Sequence, residues 1–399
     1  MEIRPILSTL LRNKTGAILI ALQIALTMAV VINAAFVIQD RRDTMAKTTG
    51  VDDSNLILAR ALQTDRDIDA RSIVERDTAA LMAIDGVQQV SKISTVPLSN
   101  SGSSQTFSKS AELEDGSWFN LAYYQTDAVA TETLGLEITR GRWFRDDEIV
   151  YNPADGEVPR VKVLSDAVAD EIFEGEDPIG KFIYTSRGDA IEIIGTIASV
   201  GRPWYNWGEL YSTSFTPFVE INYMYAIRTA PEDRDRLIPI IEETLVELDT
   251  DRLVGEPRTH SEVIARTYSR DVAMNRMLTI VMALVVSITA LGIVGLASFS
   301  VAQRRRQIGT RRAVGARRHH ILSYFLVENW LITTGGIVLG LALSFGLNYW
   351  LVTKYTLPKL DPVALPLVVL GLWAVGLLAA AGPARKATGI DPAIATRTV

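Results

Sequence analysis

The sequence predicts a membrane protein with four transmembrane α-helices and one large α+β domain outside the bilayer. Three observations carry that expectation. Four apolar runs, Gly16–Ile38, Met277–Ala302, Ile321–Trp350 and Pro362–Ala384, are each long enough to cross a hydrocarbon core of roughly 30 Å. The loop 303–320 holds seven arginines and no acid, and a short Arg-rich loop between two spans belongs on the cytoplasmic side. Residues 39–276 hold 25 Lys and Arg against 42 Asp and Glu, a net charge of −17, whereas the remaining segments sum to +11.

These totals exclude several classes of function. With 399 residues, 48% of them hydrophobic, and a mean hydropathy just above zero, the chain is neither an ordinary soluble enzyme nor a bundle of spans alone. The acidic middle would repel phosphate, so nucleic acid is not expected as a partner. The absence of cysteine excludes disulfides and thiolate metal sites. The outer domain must therefore be stable through its own core, for which 39–276 is long enough.

In chain order, Met1–Lys14 puts Ile3, Ile6, Leu7, Leu10 and Leu11 on one helical stripe and reads as an amphipathic helix on the membrane surface, residues 1–14. A signal-peptide n-region fits less well, because the apolar stretch that follows is too long and lacks a small-residue cleavage site. The first span, 16–38, starts beside Arg12 and Lys14 and so runs outward. Its two amides, Gln23 and Asn33, admit contact with a partner helix or satisfaction within the bundle.

Within 39–276, Asp77–Ile84 has helical spacing and Val87–Val96 alternates like a strand. Asn100–Ser110 reads as a mobile Ser/Gly loop, and Trp118–Tyr124 and Gly141–Phe144 as aromatic patches near turns. Strand, helix, turn and two strands follow between Val161 and Ile197. The aromatic loop Gly201–Phe218 either presents Trp204, Tyr205 and Trp207 outward or packs on itself. Asn222–Thr229 is a strand, Pro231–Leu248 an amphipathic helix, and Thr259–Arg276 a helix entering the second span, 277–302, without a break. This order suggests a porter-like α+β lobe interrupted by a mostly β lobe. After the cytoplasmic loop 303–320 come the third span, 321–350, with its single charge Glu328 and the packing pattern Gly336-x-x-x-Gly340, then an outer turn at Lys354–Pro362. The fourth span, 362–384, and a cytoplasmic tail, 385–399, complete the chain, which places both termini inside.

Candidate catalytic patterns fail on chemistry. Gly175-Glu-Asp-Pro-Ile-Gly180-Lys181 fits the core of a phosphate-binding loop. However, Phe182 replaces the Mg²⁺-ligating hydroxyl and Pro178 removes a backbone donor. The three histidines, His260, His319 and His320, form no metal cluster, and only His260 lies where an outer hydrolytic site would be. The arginine loop is different. Gly309, Ala313, Gly315 and Ala316 are interleaved with Ile308 and Val314, a pattern that a mere charge anchor does not need.

The run RRRQIGTRRAVGARRHHIL resembles the loop between the second and third spans of permeases of the MacB/FtsX superfamily, the type VII ABC transporters. Asp177-Pro-Ile-Gly-Lys181 is similar to their "NPIGK" turn, Asp85-Gly-Val87 to their "IPGV" bend, and the tail from Pro383 to Arg397 to their "PARRAARLDPVEALR" ending. The family's Glu in the loop is Gln307 here, and the chain carries no ATPase segment, so the resemblance implies ATP hydrolysis by another subunit.

By resemblance, Arg306, Ile308, Gly309, Arg311, Arg312, Ala313, Val314, Gly315 and Ala316 form the coupling helix that docks on a cytoplasmic ABC ATPase dimer. Asp40–Gly50 and Thr259–Arg276 become stalk halves. The resemblance implies pairing with a second permease copy or a paralogue, contact with membrane lipid, and a periplasmic adaptor with an outer-membrane channel. It also implies no cofactor on this chain, with ATP and Mg²⁺ used by the ATPase. The expected protein is a non-catalytic subunit of the bacterial inner membrane that drives efflux of a drug, peptide, toxin or lipid-linked cargo by mechanotransmission. Regulation of a cell-wall hydrolase, as by FtsX, and lipoprotein release, as by LolC/LolE, are the alternatives.

Overall fold

A computed structural model describes residues 14–64, 69–114, 116–152, 159–206, 208–355 and 365–390. The predicted surface helix apart from Lys14, the segment 356–364, Trp207 and the tail beyond Ile390 lie outside these residues. The chain divides into two compact units, one of residues 1–45 with 271–399 and one of residues 46–270.

The first unit contains long apolar helices. Helix α1 (Lys14–Met45) carries no charge from Thr15 to Gln39 and continues past the apolar run. Its charged last turns stay helical because Gln39 donates to Asp43 at 2.8 Å and Arg41 pairs with Asp271. Helix α6 (His260–Gln303) begins in the other unit and ends here. A short α7 (Arg305–Ala313), then α8 (Arg318–Tyr355) and α9 (Leu365–Thr388) complete the unit. Four of these, α1, α6, α8 and α9, are long and apolar enough to cross a membrane.

Packing follows the small residues. Ile20, Ile24, Met28 and Ile32 form one buried stripe along α1. A Cβ on Gly336 would lie 2.8 Å from Ile24 Cβ, and one on Gly340 2.7 Å from Met28 Cβ, so α8 touches α1 through bare backbone. Polar groups stitch the remaining seams. Asn33 donates to Ala29 O within its own helix at 2.9 Å and to Ser344 O at 3.4 Å, so its amide serves both of the readings open from sequence. Gln23 donates to Ile288 O at 3.1 Å, and the Thr27 and Thr289 hydroxyls are 2.6 Å apart, joining α1 to α6.

The second unit is α+β. Strands β1 (Leu56–Leu62), β2 (Val87–Ile93), β11 (Met224–Thr229) and β12 (Leu253–Thr259) form a sheet in the order β12-β1-β11-β2, antiparallel throughout. Helices α2 (Ala70–Met82) and α5 (Arg234–Leu248) cover it, burying Leu81, Leu237, Ile241 and Leu245 against Ile57, Val90, Tyr225 and Ile227. Asp69 caps α2 by accepting from Arg71 N, so the helix starts earlier than its apolar spacing alone suggests.

Between β2 and β11 the chain inserts a second lobe. Strands β3 (Ser103–Ser108), β4 (Trp118–Thr126), β7 (Val161–Ser165), β8 (Phe182–Thr185), β9 (Ala190–Ile197) and β10 (Thr213–Val219) pair in the ring β4-β3-β8-β9-β7-β10-β4, which closes on itself. The short β5 (Ile138–Gly141) and β6 (Val150–Tyr151) pair with β9 and β10 from outside the ring. Helices α3 (Ala130–Leu134) and α4 (Asp166–Ile172) complete the lobe. Phe107, Leu164, Ile183 and Ile191 fill it together with Val168 and Ile172 of α4.

One sequence expectation fails in this lobe. Asn100–Ser110 is not simply a mobile loop, because 103–108 is strand, paired along its length with β4 and at its end with β8. Its polar residues sit on a strand whose first half faces solvent. Trp118–Tyr124 belongs to a strand as well. The aromatic loop is packed at Tyr205, whose ring lies 4.8 Å from that of Tyr268.

The lobes meet at a narrow ladder, Ile93↔Thr126. Asp127 reinforces it by accepting from Ser91 Oγ and Lys92 N, each at 2.7 Å, and burial pushes its carboxyl up to about 6. Inside the ring, Lys162 Nζ donates to Thr216 at 2.6 Å and lies 4.9 Å from the Phe107 ring centre. Burial drives Lys162 down to about 7, and burial has the same effect on Lys92, also about 7.

Two predictions follow from these contacts. Gly340→Leu forces α8 off α1 and should destabilise the first unit by about 1–3 kcal/mol, seen as a lower thermal midpoint in detergent. Between about pH 7 and 10, unfolded lysine binds a proton that Lys162 and Lys92 do not bind in the fold, so the stability of the second unit should rise with pH across that window. Lys162→Met should remove about half of that rise in denaturant titrations.

Candidate coupling surface

The arginine loop of the sequence folds as a helix between two caps. Helix α6 ends at Gln303, Arg304 leaves helical geometry at φ −97° and ψ 14°, and α7 starts at Arg305. At the other end Gly315 adopts φ +102°, a left-handed conformation that costs a side-chain-bearing residue energy. Gly315 N donates to Arg312 O at 3.1 Å and Ala316 N to Arg311 O at 3.0 Å, satisfying two terminal carbonyls. Helix α8 starts three residues later, inside the stretch read from sequence as loop.

The nine residues singled out by the sequence separate into two faces. Ile308 and Gly309 are buried. Ile308 packs with Ile321 and Phe325 of α8 and with Ala384 and Ala387 of α9. Arg312 is half-buried and donates to Ile390 O. Ala316 is half-buried too. Arg306, Arg311, Ala313, Val314 and Gly315 are exposed, with the Arg311 guanidinium 5.1 Å from the ring centre of Tyr324. Val314 is 84% exposed, the largest value among the exposed large hydrophobic side chains described. The surface is thus an apolar knob beside a rim of guanidinium groups, on a helix seated by Ile308.

Sequence reasoning missed what anchors this helix. Arg304 donates to Glu328 Oε2 at 2.8 Å, and both side chains are largely buried. The signal was present as the lone acid of an apolar run ten residues into α8, close in sequence to an acid-free arginine cluster.

The other candidates are engaged elsewhere. His260 is buried, with Nδ1 2.9 Å from Asp53 Oδ1 and Nε2 2.8 Å from Pro97 O. The Gly175–Lys181 turn leads into strand β8 rather than a helix, and Lys181 Nζ reaches back to Glu176 at 2.5 Å. His319 and His320 meet edge to face with ring centres 4.1 Å apart. Among the described residues there is no group of three or more His, Cys, Asp or Glu side chains that could hold a metal ion.

Residues 17–248 match the family model of the MacB-like periplasmic core domain, and residues 279–392 match that of the FtsX-like permease C-terminal region. The chain belongs to the MacB/FtsX family of ABC-transporter permeases. A macrolide export ATP-binding/permease protein MacB of Azoarcus sp. (strain BH72) is 26% identical over 337 residues, which are 80% of this chain and 48% of that protein. An uncharacterized ABC transporter permease YknZ of Bacillus subtilis is 24% identical over 275 residues, 66% of each chain. The chain spans about half or less of the length of the MacB relatives it matches. The periplasmic region of MacB from Actinobacillus actinomycetemcomitans aligns with a TM-score of 0.36 at 14% identity, covering 57% of this chain and 98% of that one. Four apolar helices together with a MacB-like periplasmic core fit an inner-membrane MacB/FtsX permease with a periplasmic domain.

The cap of α7 can be tested directly. A Cβ at Gly315 meets nothing within 4 Å, so Gly315→Ala changes backbone strain alone. It should destabilise the cap by about 1 kcal/mol and speed hydrogen exchange at Gly315 and Ala316 about fivefold, read by mass spectrometry.

Proposed function

We propose that this chain is the permease subunit of an ABC efflux transporter. It converts ATP hydrolysis by a separate cytoplasmic ATPase dimer into movement of its periplasmic domain. The observation that carries the reading is the continuity of α6. One helix without a break runs from His260, in the acidic domain, to Gln303, one residue short of the exposed helix α7. A displacement of α7 that is passed on at Arg304 therefore has a single hydrogen-bonded ladder to follow.

In this reading the Arg-rich surface is cytoplasmic, both termini are inside, and the domain of net negative charge is periplasmic. Val314 enters an apolar pocket of the ATPase, and Arg306 and Arg311 face acidic residues on its rim. The chain performs no chemistry of its own; ATP and Mg²⁺ are bound by the ATPase. Two permeases pair, as copies or with a paralogue, and the stroke acts on a drug, peptide, toxin or lipid-linked cargo delivered to an adaptor and an outer-membrane channel. Support comes from the family and from the two-faced geometry of α7.

Val314→Asp places a charge on the exposed knob without touching the buried seat of α7. Capture of the ABC ATPase encoded with this permease should fall at least about tenfold, with the permease still folded. Undiminished capture and full permease-dependent ATP turnover would remove the docking assignment.

A further inference from the structure

A carboxylate inside an apolar helix is costly and marks a working position more often than an accident. Glu328 is such a group, and its place in the packing says what it holds. Its neighbour Asn329 donates to Gly376 O at 2.8 Å, tying α8 to α9. At that crossing a Cβ on Gly376 would lie 2.8 Å from Thr333 Oγ1, so the bare backbone of Gly376 lets the Thr333 side chain of α8 pack directly against α9. Glu328 thus projects from a fixed α8–α9 pair. Its partner Arg304 is the one residue between α6 and α7.

The seat of α7 is otherwise built largely from apolar contacts, Ile308 against Ile321, Phe325, Ala384 and Ala387. Such contacts resist separation but permit sliding and rotation. A charge-assisted hydrogen bond at the pivot is directional and sets an angle. Beside Glu328 lies a cavity of about 40 Å³, lined by residues of all four long helices, Ile20, Ser300, Phe325 and Ala380 among them. That is room for a water molecule or a side-chain swing without unpacking the bundle.

We propose that Glu328 is a positioning residue of the coupling surface. Acting through Arg304, it fixes the angle of the elbow between α6 and α7, so that ATPase-driven movement of α7 passes to α6 instead of being lost in rotation of α7 on its seat. This rests on the docking role of α7 proposed above and adds the part that transmits.

The test uses the full chain in nanodiscs with the ABC ATPase encoded with it and Mg-ATP. Because the protein has no cysteine, Thr310→Cys and Lys386→Cys give a clean spin-label pair across α7 and α9. Glu328→Gln should leave ATPase-subunit affinity within about twofold, lower permease-dependent ATP turnover about tenfold, and broaden the label distance distribution. Glu328→Asp should retain most of the turnover. The charge swap Arg304→Glu with Glu328→Arg should restore both turnover and the narrow distribution, and it serves as the decisive variant if Glu328→Gln does not fold. A folded Glu328→Gln with unchanged turnover and distances, or a folded swap that stays uncoupled, overturns the proposal. If Glu328→Gln is silent while Val314→Asp abolishes capture, only the elbow role fails. If the wild-type chain does not bind the ATPase at all, the docking reading itself fails.

Discussion

Between Met277 and Gln303 no peptide group can find a hydrogen-bond partner in hydrocarbon, so each must be satisfied inside its own helix. That constraint does more than make α6 helical. The ladder starts at His260, where Thr259 and Glu262 cap it reciprocally, Glu262 N donating to Thr259 Oγ1 at 3.2 Å and Thr259 N to Glu262 at 2.9 Å. From that cap to Gln303 the helix contains no proline, and its two glycines, Gly292 and Gly295, stay helical. The proposed function depends on this continuity.

The remaining spans use two kinds of contact for two purposes. Helices α1 and α8 are brought together by bare backbone at Gly336 and Gly340, a close and rigid fit. Helix α6 meets α1 through Gln23 and Thr27, with Arg41–Asp271 near one end, and α8 through Arg304–Glu328 at the other. Hydrogen bonds and ion pairs of this sort have discrete arrangements, in contrast to van der Waals packing.

The acidic domain solves a different problem, since it has no disulfide to lean on. Its inserted lobe closes a ring of strands and so leaves few open edges. Its two lobes share one short ladder reinforced by Asp127 and a large common core around Tyr124, Trp143 and Phe215. The buried lysines cost stability at neutral pH, and the ring's hydroxyls and aromatic faces offset part of that cost at Lys162.

Much of this protein could be read without coordinates. Apolar run length pointed to the four long helices, because a segment that crosses a bilayer as a helix needs about 20 consecutive apolar residues. Motif residues pointed to the family and to α7, since Gly315 is needed at a left-handed cap wherever that helix must stop. Tertiary structure alone decided which residues of α7 face out: Ile308 and Val314 are equally apolar, and only the positions of Phe325 and Ala384 make one a seat and the other a knob. It alone turned Ser103–Ser108 into a strand, because a polar segment becomes β when neighbouring strands supply its hydrogen bonds, here β4 along its length and β8 at its end. It alone joined Glu328 to Arg304, because a charge buried among apolar neighbours is explained by its partner in space, which periodicity along the chain does not specify.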